Sequence, residues 1–95
     1  MNTSHAPVRT ERASEYLVRL SKERAHDIPA LTFNNSHAVI PFSGALFELM
    51  AGNGFLDITL MADSKSNTIL FEHLLGGQLD SVARDEHLKY DWAFQ

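Results

Sequence analysis

The chain of 95 residues has no cysteine, one tryptophan, three prolines and five glycines, and its eight Lys and Arg are outnumbered by twelve Asp and Glu. Without cysteine there is neither a disulfide frame nor a thiolate metal site. The net charge of −4 disfavours nucleic acid, whose phosphates reward clustered Lys and Arg. The densest basic stretch, Arg19 to Arg24, also holds Glu23 and follows Glu15, the pattern of a solvated helix face. No window approaches the ~18 consecutive apolar residues of a membrane span. Met1-Asn2-Thr3-Ser4-His5 has neither the basic start nor the apolar run of a signal peptide. These absences together lead to the expectation of a cytoplasmic protein with no nucleic-acid or membrane partner.

Catalytic signatures are missing as well. There is no Gly-x-Gly-x-x-Gly, no phosphate-binding loop and no Gly-x-Ser-x-Gly elbow. Gly52-Asn53-Gly54 and Gly76-Gly77 lack the Lys-Ser/Thr that a phosphate loop requires. No cofactor is expected, and a non-enzymatic role is favoured. What is present is ordinary globular material, 44% hydrophobic and 21% charged, enough for one core in a single domain over residues 1–95.

Periodicity assigns the elements. From Thr10 to Ala25, Ala13, Tyr16, Leu17, Leu20 and Arg24 recur at helical spacing, with Arg12, Glu15, Arg19 and Glu23 facing outward. Thr10 is the expected N-cap, Glu15 and Arg19 have the favourable acid-before-base spacing of four, and Pro29 bars continuation. Four alternating runs follow, Leu31–Asn34, His37–Phe42, Ala45–Ala51 and Phe55–Ala62. Asn53-Gly54 predicts a type I′ hairpin, in which both positions have positive φ. Its register sets Ala51 opposite Leu56, Leu49 opposite Ile58 and Phe47 opposite Leu60. Ser43-Gly44 sets Ile40 opposite Phe47, and Asn35-Ser36 sets Phe33 opposite Ala38. Each turn selects the register that puts the apolar residues on one face, which predicts an antiparallel meander.

A second helix is expected from Asp63 or Ser64 to Arg84, with Phe71, Leu74, Leu75, Gln78 and Val82 inward and a kink or break where Gly76 and Gly77 weaken it. Leu88, Tyr90, Trp92 and Phe94 alternate as a half-buried strand. Residues 1–9 read as a tail or a short edge strand through Ala6 and Val8, since Pro7 is tolerable only at an edge. The fold class is α+β: a two-layer sandwich, two helices on one face of a mostly antiparallel sheet, in the order (β)-α-β-β-β-β-α-β.

The predicted register places chemistry on the open face. His37, Met50 and Asp57 form one row across three strands, and Val39, Glu48 and Thr59 form the next. His37 and Asp57 are each diagonal to Glu48, at strand separations of ~7–8 Å. His37, Glu48, Asp57 and Thr59 are therefore the candidate ligand-binding residues, for a cation or for acid–base chemistry. The competing reading is a wet or dimer-covered sheet face. Val39, Leu46, Met50, Phe55 and Met61 make that face more apolar than solvent requires, which points to a homodimer or another protein partner. Trp92 and Tyr90 either fill core or line a pocket between helix and sheet. Glu23 and His26 share the Glu-x-x-His spacing of di-iron bundles but lack the further ligands, while Glu72-His73 and Glu86-His87 read as solvated charge.

Thr10, Arg12-Ala13-Ser14, Tyr16-Leu17, Leu20, His26, Ile40-Pro41-Phe42 and Gly44 resemble the bacterial family called domain of unknown function 2218. Leu74-Leu75, Leu79, Val82-Ala83 and the closing Leu88-x-Tyr90-x-Trp92 extend the resemblance over essentially the whole chain. It implies one continuous second helix through Gly76-Gly77. It also implies a setting in iron–siderophore handling, because related domains occur attached to siderophore-interacting flavoproteins. An aldolase label carried by some relatives has no counterpart here, with no Schiff-base lysine pocket and no enolate metal site. Relatives usually have histidine at the positions of Glu23 and Gln78, so only His26 carries over as a metal candidate.

Overall fold

The alternating runs pair as their turns dictate. The computed structural model describes residues 2–83 and 86–94. Its elements are β1 (Asn2–Arg9), α1 (Ala13–Ala25), β2 (Thr32–Phe33), β3 (His37–Phe42), β4 (Ala45–Gly52), β5 (Phe55–Ala62), α2 (Lys65–Val82) and β6 (Ala93–Phe94). All pairings are antiparallel, in the order β2-β3-β4-β5-β1-β6. α1 packs over β3 and β4, α2 over β5 and β1, and the two helices touch. The result is the α+β two-layer sandwich, with the core between the helices and one sheet face.

The expected hairpin registers are all present: Leu49 opposes Ile58, Phe47 opposes Leu60 and Ile40, and Phe33 opposes Ala38. The turn chemistry differs. Among the described residues only glycines have positive φ, +84° at Gly44 and +82° at Gly54. Asn53 is therefore not left-handed and the hairpin is not type I′. One glycine per turn supplies the positive φ, at the second loop position, where a side chain would be strained. At the third turn the Asn34 side chain substitutes for special backbone: its Oδ1 accepts from the Ser36 and His37 N–H groups, both at 2.9 Å.

The first residues form a strand of eight, longer than the expected edge segment, paired with β5 along its whole length. β6 continues the sheet beyond it but pairs only with Ser4 and His5. Pro7 thus lies where β1 has no second neighbour, which is how the sheet tolerates it. Leu88, Tyr90 and Trp92 alternate half-buried with exposed Lys89, Asp91 and Ala93, as expected, yet strand pairing is confined to Ala93–Phe94.

α1 begins at Ala13, later than expected. Arg12 holds the N-cap position and Thr10 stands upstream, its Oγ1 accepting from the Arg12 N–H at 3.1 Å. The Glu15–Arg19 pair forms at 3.2 Å. α2 is capped by Ser64, whose Oγ accepts from the Asn67 N–H, and runs unbroken through Gly76-Gly77. Arg84, the expected end of this helix, lies outside the described residues. The inward stripe of α2 is Thr68, Leu75, Leu79 and Val82 with Phe71 half-buried; Leu74 is exposed, because it falls beside that stripe and toward solvent. The core joins Tyr16, Leu17 and Leu20 to Phe47, Leu49, Ile58 and Leu60, and Phe42, Phe47 and Phe71 meet with ring centroids 5.3–5.9 Å apart.

Candidate functional site

Helices cover one sheet face and leave the other open. In β3, β4, β5 and β1 the residues facing away from the core form rows across the sheet. One row runs His5, Thr59, Glu48 and Val39; the next runs Pro7, Asp57, Met50 and His37. Diagonal neighbours between these rows are within reach of long side chains. Two such diagonals are closed: His37 Nε2 lies 2.7 Å from Glu48 Oε2, and His5 Nε2 lies 2.6 Å from Asp57 Oδ1.

The pairs are related by an approximate half-turn about a line normal to the sheet between β4 and β5. That operation exchanges His5 with His37, Asp57 with Glu48 and Thr59 with Met50. The side chains of the two pairs are 34–40% exposed, so the carboxylates are hydrogen-bonded but still open to solvent on one side. Met50 is 52% exposed and Phe55 40%, whereas Val39, Leu46 and Met61 are half-buried.

The structure therefore brings His37 and Glu48 together, as the register predicts, and sets Thr59 beside Glu48 on the neighbouring strand. Asp57, although diagonal to Glu48, is taken by His5. His5 escapes the sequence pattern because only Ala6 and Val8 mark residues 1–9 as a strand. The signal was present: buried Ser4, Ala6 and Val8 alternate along one strand, and Ser4 obscures the pattern because it is polar. Among the described residues no three His, Asp or Glu side chains gather as a metal site would require.

The other histidine motifs fall elsewhere. His26 is exposed at the C-cap of α1. Glu23 borders a groove of about 350 Å³ between the helices, with Arg19, Lys22, Ser81 and Val82, and Gln78 is half-buried on α2. His73 and His87 are exposed, but their acidic neighbours are not merely solvated charge. Glu72 accepts from buried Ser4 Oγ at 2.5 Å. Glu86 Oε1 accepts from Tyr16 OH at 2.6 Å and Thr10 Oγ1 at 2.9 Å. The Tyr16 bond and then the Thr10 bond hold the Glu86 carboxyl below the usual glutamate range, while the same bond and burial push the Tyr16 hydroxyl upward. Adjacency in sequence conceals these partners, which β1, α1 and Thr10 between them supply.

No helix among the described residues is long and apolar enough to cross a membrane. A family model described as an uncharacterised protein conserved in bacteria (DUF2218) matches residues 5–93. The fold is similar to that of the NMR structure of PA4090 from Pseudomonas aeruginosa, at 25% sequence identity and a TM-score of 0.81, over 98% of this chain and 96% of that one. No curated protein matches the chain.

Proposed function

The chain belongs to the uncharacterised bacterial family DUF2218, and from that premise we propose that it is a non-enzymatic binding module that self-associates through its open sheet face. The observation that carries this reading is the composition of that face. Exposed Met50 and Phe55 lie beside two histidine–carboxylate pairs, His5–Asp57 and His37–Glu48, which already satisfy one another. Burying a carboxylate is costly unless its hydrogen bonds are kept, and here they are made within the chain before any partner arrives. An isologous interface brings the same patch of each copy together, so Met50 near the middle of one face would meet apolar surface on the other.

A divalent-metal or acid–base site built on His37, Glu48, Asp57 and Thr59 is the rival. It has two donors in hand at each pair but, among the described residues, no third, since Asp57 is directed to His5. The iron–siderophore setting implied by the family resemblance would make the module an accessory to transport or reduction. Genes for those activities adjacent to the coding sequence would support it, and their absence across relatives would count against it.

Light scattering on the full chain at high micromolar concentration tests the assembly. The expected result is a dimer that Met50→Glu converts to monomer. A wild-type monomer overturns the proposal. So does a dimer indifferent to Met50→Glu but broken by Leu70→Glu, which would move the interface to exposed Leu70 on α2.

A further inference from the structure

A second concave site lies in the helix layer, between α2 and the segment that carries Tyr90 and Trp92. It encloses about 320 Å³, within the range of small-molecule sites. Gly76, Gly77, Tyr90, Trp92 and exposed His73 line it, with the Tyr90 ring against Gly76 and open space over Gly77. Glu72 and Asp80 are four residues to either side of Gly76, hence on one stripe of the helix and roughly 12 Å apart along its axis.

Three features are not explained by packing alone. Two adjacent glycines weaken a helix interior. A Cβ on Gly76 would touch the Tyr90 ring at 3.6 Å, but one on Gly77 would have nothing within 4 Å. Among the described residues the missing side chain at Gly77 therefore serves no contact, and its effect is to keep the groove open. Next, both carboxylates are held in place. Fully buried Ser4 donates to Glu72 Oε2 at 2.5 Å, and the Tyr90 hydroxyl, which has one proton to give, donates to Asp80 Oδ1 at 2.9 Å with the Gly76 carbonyl oxygen 3.3 Å away. A carboxylate has more than one acceptor site, so each keeps capacity for a cation. Finally, the aromatic rings offer faces to which alkyl chains and ammonium groups are both attracted.

We propose that this groove binds a linear organic dication, an α,ω-diamine or polyamine, with its ammonium ends at Glu72 and Asp80 and its methylenes over Gly77, beside the Tyr90 and Trp92 rings. A metal ion needs its ligand oxygens within about 2.6 Å, whereas these carboxylates stand about two helical turns apart, each held by its own hydroxyl. A monoamine satisfies one end only. The site is independent of the open sheet face and shares no residue with it.

Trp92 is the only tryptophan in the chain, so its fluorescence reports on this groove in the intact protein. Titration with octamethylenediamine, spermidine and n-octylamine is expected to give saturable changes, with the diamine at least about tenfold tighter than the monoamine. Glu72→Gln and Asp80→Asn should each reduce the diamine to the monoamine level. Gly77→Leu, which fills the groove with a good helix former, should abolish the response while the circular dichroism stays that of the wild type. No saturable change below about 10 mM diamine overturns the proposal. Equal affinity for diamine and monoamine overturns it too, as does undiminished binding in both carboxamide variants.

Discussion

The two helices lie on the same face of the same sheet, yet they are built to different ends. α1 is 13 residues long and buries Ala13, Tyr16, Leu17, Leu20 and Ser21 along one stripe, with the Glu15–Arg19 pair on its solvent side and no glycine in its interior. α2 is 18 residues long, buries Thr68, Leu75, Leu79 and Val82, and exposes Ile69, Leu70 and Leu74 at 42–61%. It has adjacent glycines midway, with neither an acid in its first turn nor a base in its last. α1 follows the rules of an amphipathic surface helix nearly throughout. α2 is fixed by a narrower stripe, by the Ser64 cap and by contacts from β1 and the C-terminal segment, and its remaining positions break those rules. Where local choices conflict with stability without a packing reason, a contact outside the chain is the natural explanation.

The largest expected effect tests that contrast through leucines of equal size. Leu20→Ala opens a cavity under α1, where the side chain is fully buried, and should cost about 2–5 kcal/mol in urea unfolding. Against a total stability of about 5–15 kcal/mol for a domain of this kind, that is a large share. Leu74→Ala should change stability by no more than about 0.5 kcal/mol, because the side chain meets solvent. If the two variants lost similar amounts, Leu74 would be covered in solution, and the contrast between the helices would reflect a missing neighbour.

The same contrast explains what could be read from sequence. The meander was legible because turn residues and alternation select one register independently at Asn35-Ser36, Ser43-Gly44 and Asn53-Gly54. Register then placed His37 next to Glu48. α1 was legible because one period describes it. Leu74 was misplaced because leucines at positions 74 and 75 both suit an inward stripe, and only packing against β5 and β1 decides between them. The partners of Glu72, Glu86 and Asp57 were not legible, since Ser4, Tyr16 and His5 are 52 to 70 residues away in the chain. No local pattern encodes such pairs.

A middle-sized effect is expected where α1 is tied to the segment after α2. Tyr16→Phe removes the 2.6 Å bond to Glu86 but leaves Thr10 on the same oxygen, so the loss at neutral pH should be about 1–2 kcal/mol. The carboxyl of Glu86 is held below its ordinary range by the Tyr16 bond first. Its contribution is therefore complete above the ordinary glutamate value of about 4.3 and is lost as pH falls through the lower folded value. Unfolding curves of wild type and Tyr16→Phe should converge on acidification through that window. A difference between them that stayed constant into strong acid would show that the Tyr16 hydroxyl acts independently of the Glu86 charge.

The smallest effect is the one most specific to α2. Replacing glycine by alanine in an exposed helix interior removes backbone freedom from the unfolded chain and is worth about 0.8–1.0 kcal/mol. At Gly77 the new methyl has nothing within 4 Å to strike among the described residues. Gly77→Ala should therefore stabilise the protein by nearly that whole amount, raising Tm by roughly 4–8 °C in a domain of this size. Gly76→Ala should gain as well, since its methyl would make an ordinary contact with the Tyr90 ring at 3.6 Å. A rise at Gly77 means that folding alone does not require glycine there. The open groove is then the remaining account of the residue, and diamine affinity in the same Gly77→Ala protein should fall as its Tm rises. A Tm that does not rise would place a hidden neighbour over Gly77 in solution and remove the open space on which the diamine site depends.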